Sequence, residues 1–396
     1  MSAVVPRTPT LPANDILGLD ADLLDEERML RDTVRAFVQR ELLPDVPQWF
    51  EDGELPSSEL ARRFGELGVL GMHLEGHGCA GASPTAYGLV CAELEAGDTG
   101  LRSLVSVQGS LVMFPIHRFG SEEQKQEWLP RMATGEALGC FGLTEPDAGS
   151  DPGSMRTTAR RDGSDWILNG TKMWITTGSI ADVAIVWAKT EDGIRGFLVP
   201  RGTPGFTTQD IHHKLSLRAS VTSELLLDDV RLPASAMLPG AQGLGGPLTV
   251  LGEARLGIVF GANGAARACL EAAVEYARTR IQFGKPIGSF QLTQAKLAEM
   301  GARVAAGQLL ALRLSRMKEA GTLKPEHVSL GKYSNVSAAL AVAREARTIM
   351  GANGITLEYP VMRHAANLET VLTYEGTHEV HSLVLGRALT GLNAFA

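Results

Sequence analysis

FGLTEPDAGSDP, Phe141 to Pro152, is the stretch of this 396-residue chain from which the rest can be read. Pro146, Gly149 and Pro152 break regular structure. The run from Thr144 to Ser150 offers a dense set of backbone N–H groups and hydroxyls, a setting suited to phosphate or ring carbonyl oxygens. Twenty-three residues beyond Asp151 comes Trp174-Ile175-Thr176, a strand edge that presents a large flat side chain beside a hydroxyl. An anion-binding loop next to a strand that can cover an aromatic ring predicts a nucleotide-like cofactor. The same spacing also suits an ordinary turn between a helical region and a sheet.

Upstream of this loop, residues 20–135 read as helical. Asp25-Glu26-Glu27 opens a segment whose Leu30, Val34, Phe37 and Val38 share one face, and Pro44 and Pro47 stop it. Further helices are predicted near 57–69, 84–97, 103–118 and 121–134. From about 140 to 235, short runs rich in Val, Ile, Trp and Phe alternate with turn residues, and Asn169-Gly170 between two such runs is a hairpin signal. Strands do not alternate with long helices, so an antiparallel sheet is expected. A Gly-rich link at Pro239–Pro247 leads to helical patterns at about 248–281, 289–320, 325–350 and 378–390, the outline of a four-helix bundle. Gly257, Gly261 and Gly264 permit close helix contact on the first of these. The organisation is mainly α with a β middle domain: an N-terminal helical domain over 1–138, a middle β domain over 139–240 and a C-terminal bundle over 241–396.

Composition narrows the class. Hydrophobic residues at 44% and charged ones at 21% suit a globular protein. A net charge of −8 argues against general binding to nucleic acid or anionic membranes. No apolar run reaches the ~18 residues of a membrane span. The first thirteen residues lack an apolar or basic amphipathic segment, so no signal or transit peptide is expected and a cytoplasmic, bacterial-type location is. Cys79, Cys91, Cys140 and Cys269 form no C-x-x-C pair and read as buried reduced thiols.

Several residues could carry chemistry. Glu375 precedes Gly376 in a turn between helical stretches. A carboxylate there can approach a ligand closely, and apolar surroundings would raise its pKa toward that of a useful base; residue type alone equally allows a helix-end acid. Arg102, beside Ser103, could clasp a carboxylate with two parallel bonds or close an intrahelical pair with Glu95 or Asp98. Arg278 and Arg280 could offset a helix dipole or meet a pyrophosphate. His378 and His381 lack a third ligand and read as packing residues; no metal site is expected. Neither a P-loop nor a Rossmann context occurs.

The runs FGLTEPDAGSDP, WITTG, RTRIQFGKPI, IMGANGI and TYEGTHEVHSLVLGRALTG, in this order, resemble the acyl-CoA dehydrogenase family over residues 20–396. LRSLVSVQGSLVM at 101–113, KLSLRAS at 214–220 and the C-terminal run resemble its glutaryl-CoA branch. The resemblance implies FAD, an acyl-CoA (glutaryl-CoA) substrate, an electron-transferring flavoprotein as acceptor and a homotetramer. It implies that Phe141, Leu143, Thr144, Gly149 and Ser150 line the cofactor, that Trp174, Ile175 and Thr176 flank its ring, and that Arg280, Phe283, Gln291, Met350 and Gly351 bind its adenosine half across a subunit contact. Thr377 and Phe395 would complete that site. Ser150 and Arg255 would also meet CoA, with Tyr374 and Gly376 beside the substrate. Glu375 would be the catalytic base, and Arg102 and Ser103 would hold the far carboxylate, oriented by Glu95. Leu101 and Asp147 depart from the branch, where an aromatic residue and asparagine are usual.

Overall fold

The computed structural model describes residues 10–394, so Phe395 lies outside the described residues. The helical beginning comprises α1 (Asp25–Phe37), α2 (Val46–Asp52), α3 (Ser57–Glu66), α4 (Pro84–Gly97), α5 (Thr99–Ser106), α6 (Phe114–Phe119) and α7 (Glu122–Ala133). A two-residue hairpin, β1 (Glu75–Gly76) with β2 (Cys79–Ala80), separates α3 from α4. The first helix runs on through a π-helical turn to Leu42 and ends before Pro44, as the prolines require; Pro47 then sits in the first turn of α2.

The helix predicted from 103 starts earlier, at Thr99, and continues through a π-helical stretch, Val107–Met113, to Phe119. Asp98 is extended (φ −162°, ψ 148°) and breaks α4 from α5. Its Oδ1 accepts from the Gly100 N–H at 2.7 Å, capping α5. Its Oδ2 accepts from Arg363 and, at 2.9 Å, from Asn367 Nδ2. Asp98 therefore does not share a helix face with Arg102. The reason is that its side chain satisfies the first turn of the next helix.

The middle sheet contains β3 (Gly139–Gly142), β4 (Thr158–Asp162), β5 (Asp165–Thr176), β6 (Val183–Thr190), β7 (Gly193–Pro200), β8 (Phe206–Asp210) and β9 (Thr222–Leu232). The order is β3-β6-β4-β5-β9-β8, with β7 also on β6. Most pairings are antiparallel, as expected, but β3 and β4 each run parallel to β6. The hairpin expected at Asn169-Gly170 is not there. The β4–β5 turn lies at Gly163-Ser164, where Asp162 faces Asp165. Asn169-Gly170 lies inside β5 at a register shift against β9. Asn169 exchanges hydrogen bonds of 2.9 Å with Asp229, so pairing with β9 overrides the local turn preference.

The last part holds α8 (Gly245–Thr279), a small hairpin of β10 (Ile281–Gln282) and β11 (Lys285–Pro286), α9 (Gln291–Glu319), α10 (Pro325–Met350), α11 (Val361–Thr373) and α12 (His378–Thr390). Four of these helices match the predicted ones; α11 was not anticipated. Its buried face includes Arg363, His364 and Asn367, so no clean apolar stripe marks it. The α8 glycines do admit α4: a Cβ on Gly264 would sit 2.0 Å from the Ala92 carbonyl oxygen. All four cysteines are unpaired, and Cys91, Cys140 and Cys269 are buried.

Asp98 joins the helix carrying Arg102 to the helix that leads into Glu375. Asp98→Ala leaves a buried Arg363 without its carboxylate, and a loss of about 3–5 kcal/mol is expected from the urea unfolding midpoint.

Candidate active site

Between α11 and α12 the chain turns through Tyr374-Glu375-Gly376-Thr377. Glu375 is left-handed (φ 51°), as is Gly376 (φ 97°). A non-glycine residue in this region persists where its surroundings over-determine it. Here they do. Arg255 Nε donates to the Glu375 carbonyl at 2.8 Å. Lys332 Nζ donates to the Tyr374 and Gly376 carbonyls at 2.5 and 2.6 Å. A Cβ on Gly376 would lie 2.8 Å from His381 Nε2, so the turn needs glycine twice over. The Glu375 Oε2 atom is buried with no hydrogen-bond partner. Burial pushes this carboxyl upward in pKa, while Arg102, Arg255 and Lys332 pull it back.

Arg102 is 1% exposed and held from three sides. Its Nε donates to Glu95 Oε2 at 2.6 Å and its Nη1 to Ser106 Oγ at 2.8 Å. Its Nη2 donates to the Tyr374 hydroxyl, and the guanidinium carbon stands 5.7 Å from the Tyr374 ring centre. Glu95 and Arg102 thus pair across the helix break and not along one helix. Gly261 makes room for the pair: a Cβ there would lie 2.0 Å from Glu95 Oε2. Through Tyr374, Arg102 and Glu375 belong to one site. Ser103 is buried beside Arg102 on α5.

The loop after β3 is braced from within. Glu145 is buried and accepts from the N–H groups of Arg156 and Thr157, at 2.5 and 2.9 Å. Lys172, fully buried on β5, donates to Glu145 Oε1 at 2.8 Å and to the Leu143 carbonyl at 3.1 Å. Met173 N–H donates to the Thr144 carbonyl at 2.8 Å. These bonds set the Thr144 segment against Trp174, which is left-handed (φ 64°) and 56% exposed. A braced loop beside an indole held out on strained backbone fits a flat aromatic group. Asp147 faces solvent and pairs with Arg156 at 2.9 Å.

The other expected cofactor residues divide into two sets. Phe141, Leu143, Ile175 and Met350 have buried side chains packed in the cores. Gly149, Ser150, Arg280, Phe283, Gln291 and Gly351 are exposed, and Thr176 is half-buried. Arg280 ends α8, Phe283 caps the β10–β11 hairpin and Gln291 begins α9. Asn353 reaches Tyr276, one turn before Arg280, at 3.0 Å and so gathers Gly351 to the same end of the bundle. Among the described residues, no hydrogen bond, ion pair or ring contact joins that end to Trp174. Thr377 caps α12 through the Val380 N–H at 3.2 Å. His378 stacks on Tyr333 at 4.1 Å and His381 is buried, so both pack.

Lys332, Lys172 and Glu145 escaped sequence reasoning. One signal was present: Lys332 falls on the stripe of Val328, Val336 and Ala339, where a solvated lysine has no place.

Profiles of the acyl-CoA dehydrogenase N-terminal, middle and C-terminal domains match residues 24–136, 140–230 and 241–390. The chain belongs to the acyl-CoA dehydrogenase family. It is therefore an oxidoreductase. A crystal structure of glutaryl-CoA dehydrogenase from Mycobacterium smegmatis superposes with a TM-score of 0.97 at 65% identity, covering 98% of this chain and 100% of that one. A second from that organism, in complex with FADH2, has a TM-score of 0.97 at 63% identity with the same coverage. The short-chain specific acyl-CoA dehydrogenase of Bos taurus mitochondria is 37% identical over 372 residues, 92% of this chain and 90% of its own length. No helix among the described residues is long and apolar enough to cross a membrane.

The loop brace has a pH signature. Its N–H and Lys172 bonds hold the Glu145 carboxyl down at about 2 against burial. The unfolded chain binds this proton first, so the contribution is present above pH ~4.5 and is lost as pH falls toward 2. Glu145→Gln should flatten the rise in urea midpoint between pH 3 and 5 relative to the parent chain.

Proposed function

We propose that this dehydrogenase converts glutaryl-CoA to crotonyl-CoA and CO2. The observation that supports this most is the state of Arg102. A guanidinium has five N–H hydrogens, and three are spent on Glu95, Ser106 and Tyr374. One on Nη1 and one on Nη2 remain to donate to a carboxylate.

FAD fits the exposed Trp174 face. Thr144, Trp174 and Thr176 would flank its ring, and Gly149 and Ser150 would meet its phosphates; when bound, FAD supplies an acceptor for the hydride from the substrate β-carbon. Arg280, Phe283, Gln291, Met350 and Gly351 would serve the adenosine half across a subunit contact in a homotetramer, and an electron-transferring flavoprotein would collect the electrons.

The chain's own residues do the rest. The Glu375 carboxylate removes the α-proton of the thioester; burial strengthens it as a base. The Glu375 N–H has no acceptor within the described residues and would donate to the thioester oxygen as negative charge develops there. Arg102 and Ser103 hold the distal carboxylate. After oxidation that carboxylate lies on the γ-carbon of an unsaturated thioester, so its C–C bond can break with the electron pair delocalised toward the thioester. Glu375, now protonated, returns its proton to the γ-carbon.

A second reading, a dehydrogenase for short monocarboxylic acyl-CoA, draws support from the Glu95 and Tyr374 bonds that already balance Arg102. Steady-state kinetics with an artificial electron acceptor separate the two. Glutaryl-CoA should exceed butyryl-CoA in kcat/KM, with crotonyl-CoA and CO2 as products by mass spectrometry. Arg102→Ala should lower kcat/KM for glutaryl-CoA ~100-fold more than it lowers that for butyryl-CoA. A preference for butyryl-CoA in the parent enzyme sinks the carboxylate-clasp reading; glutaconyl-CoA as end product sinks the decarboxylation.

A further inference from the structure

Lys332 is a buried titratable group that the reaction above does not use. It lies on the inward face of α10 and is 2% exposed. Among the described residues it forms no ion pair; its ammonium donates to two backbone carbonyls, Tyr374 at 2.5 Å and Gly376 at 2.6 Å. Burying an ammonium away from a contacting carboxylate is costly. Two carbonyls two residues apart converge on this one nitrogen, which calls for a point donor carrying several hydrogens. The carbonyl between them belongs to Glu375 and is taken by Arg255. Three successive carbonyls of the turn are thus bound by two cations from two different helices.

We propose that Lys332 is a positioning residue for the base: with Arg255 it pins the Tyr374–Gly376 turn, holds Glu375 in its left-handed conformation and sets a positive charge near the carboxylate that favours its ionised form. This rests on Glu375 being the base. The charges facing Glu375 are Arg102 on α5, Arg255 on α8 and Lys332 on α10, with the Tyr374 hydroxyl beside them. Those facing Lys332 are Glu375, Arg255 and Arg102, with His381 of α12 nearby. Arg102 is matched by Glu95 at 2.6 Å, whereas the carboxylate acting on Lys332 is that of Glu375. Burial draws the Lys332 ammonium down and the Glu375 charge draws it up; reciprocally, Lys332 lowers the proton affinity of Glu375. Loss of the charge therefore moves Glu375 upward, and the acid side of the rate–pH profile moves to higher pH.

The test is kcat and KM against pH for the flavin-loaded enzyme with its preferred acyl-CoA, comparing Lys332→Met, Lys332→Gln and Lys332→Arg. Lys332→Met should lose kcat on the order of 100-fold, with KM changed less than about threefold and the acid limb about one pH unit higher. Lys332→Arg, which keeps charge and donors, should return the limb to its parental position. Lys332→Gln, which keeps donors alone, should leave it shifted. A parental kcat and limb in Lys332→Met overturns the proposal. If Lys332→Met does not fold, the Gln and Arg limbs decide: equal positions overturn the charge role. Glu375→Gln run in parallel separates the two ideas. If it is inactive while Lys332→Met is normal, the Lys332 role alone fails; if it turns over like the parent, the base reading fails.

Discussion

The buried ion pair between Arg102 and Glu95 is the contact on which the arrangement of the site depends. Both side chains are almost wholly removed from water. Such a pair repays its desolvation only with near-ideal geometry and with further hydrogen bonds around it, here to Ser106 and Tyr374. Glu95 comes from the end of α4, Arg102 from α5, and the space for them from Gly261 on α8. The Tyr374 hydroxyl accepts a further guanidinium hydrogen and so brings in the segment that carries Glu375. One charge pair thereby ties the helical beginning of the chain to its last turn.

A second theme is the use of long cations to hold carbonyls of irregular backbone. Lys332 and Arg255 bind the Glu375 turn, Lys172 binds the Leu143 carbonyl in the loop after β3, and Arg363 binds the Gly97 carbonyl at 2.8 Å where α4 ends. Buried carbonyls outside helices and sheets need partners. A lysine or arginine reaching from a regular element supplies one and leaves the loop free to take the shape that chemistry requires. Arg363 also ties down Asp98, so the break between α4 and α5 is fastened from α11.

Much of this architecture was legible in the chain. Helical periodicity located α8, α9 and α10 within a few residues, because those helices bury mostly small and apolar faces. The β texture after residue 139 was equally plain. Failures came where tertiary contacts outweighed local preference. Asn169-Gly170 would turn in isolation, yet pairing to β9 keeps it inside a strand. α11 hid because its inward face is polar, and Arg363 and Asn367 can be buried there because Asp98, Leu217 N–H and the Gly97 carbonyl await them. Glu95 and Arg102 meet across two helices and not within one, because Asp98 divides the chain between them.

Residue order was enough to settle the helix–sheet–helix organisation and the family; these depend on periodicity and on motifs local in sequence. It could not settle how the Glu375 turn is held. Lys332 stands 43 residues before Glu375 and Arg255 stands 120 before it. Their bonds go to backbone carbonyls, which every residue carries and no side-chain pattern announces. Folding alone brought them together, because a carbonyl acquires a specific partner only once packed helices fix where it points.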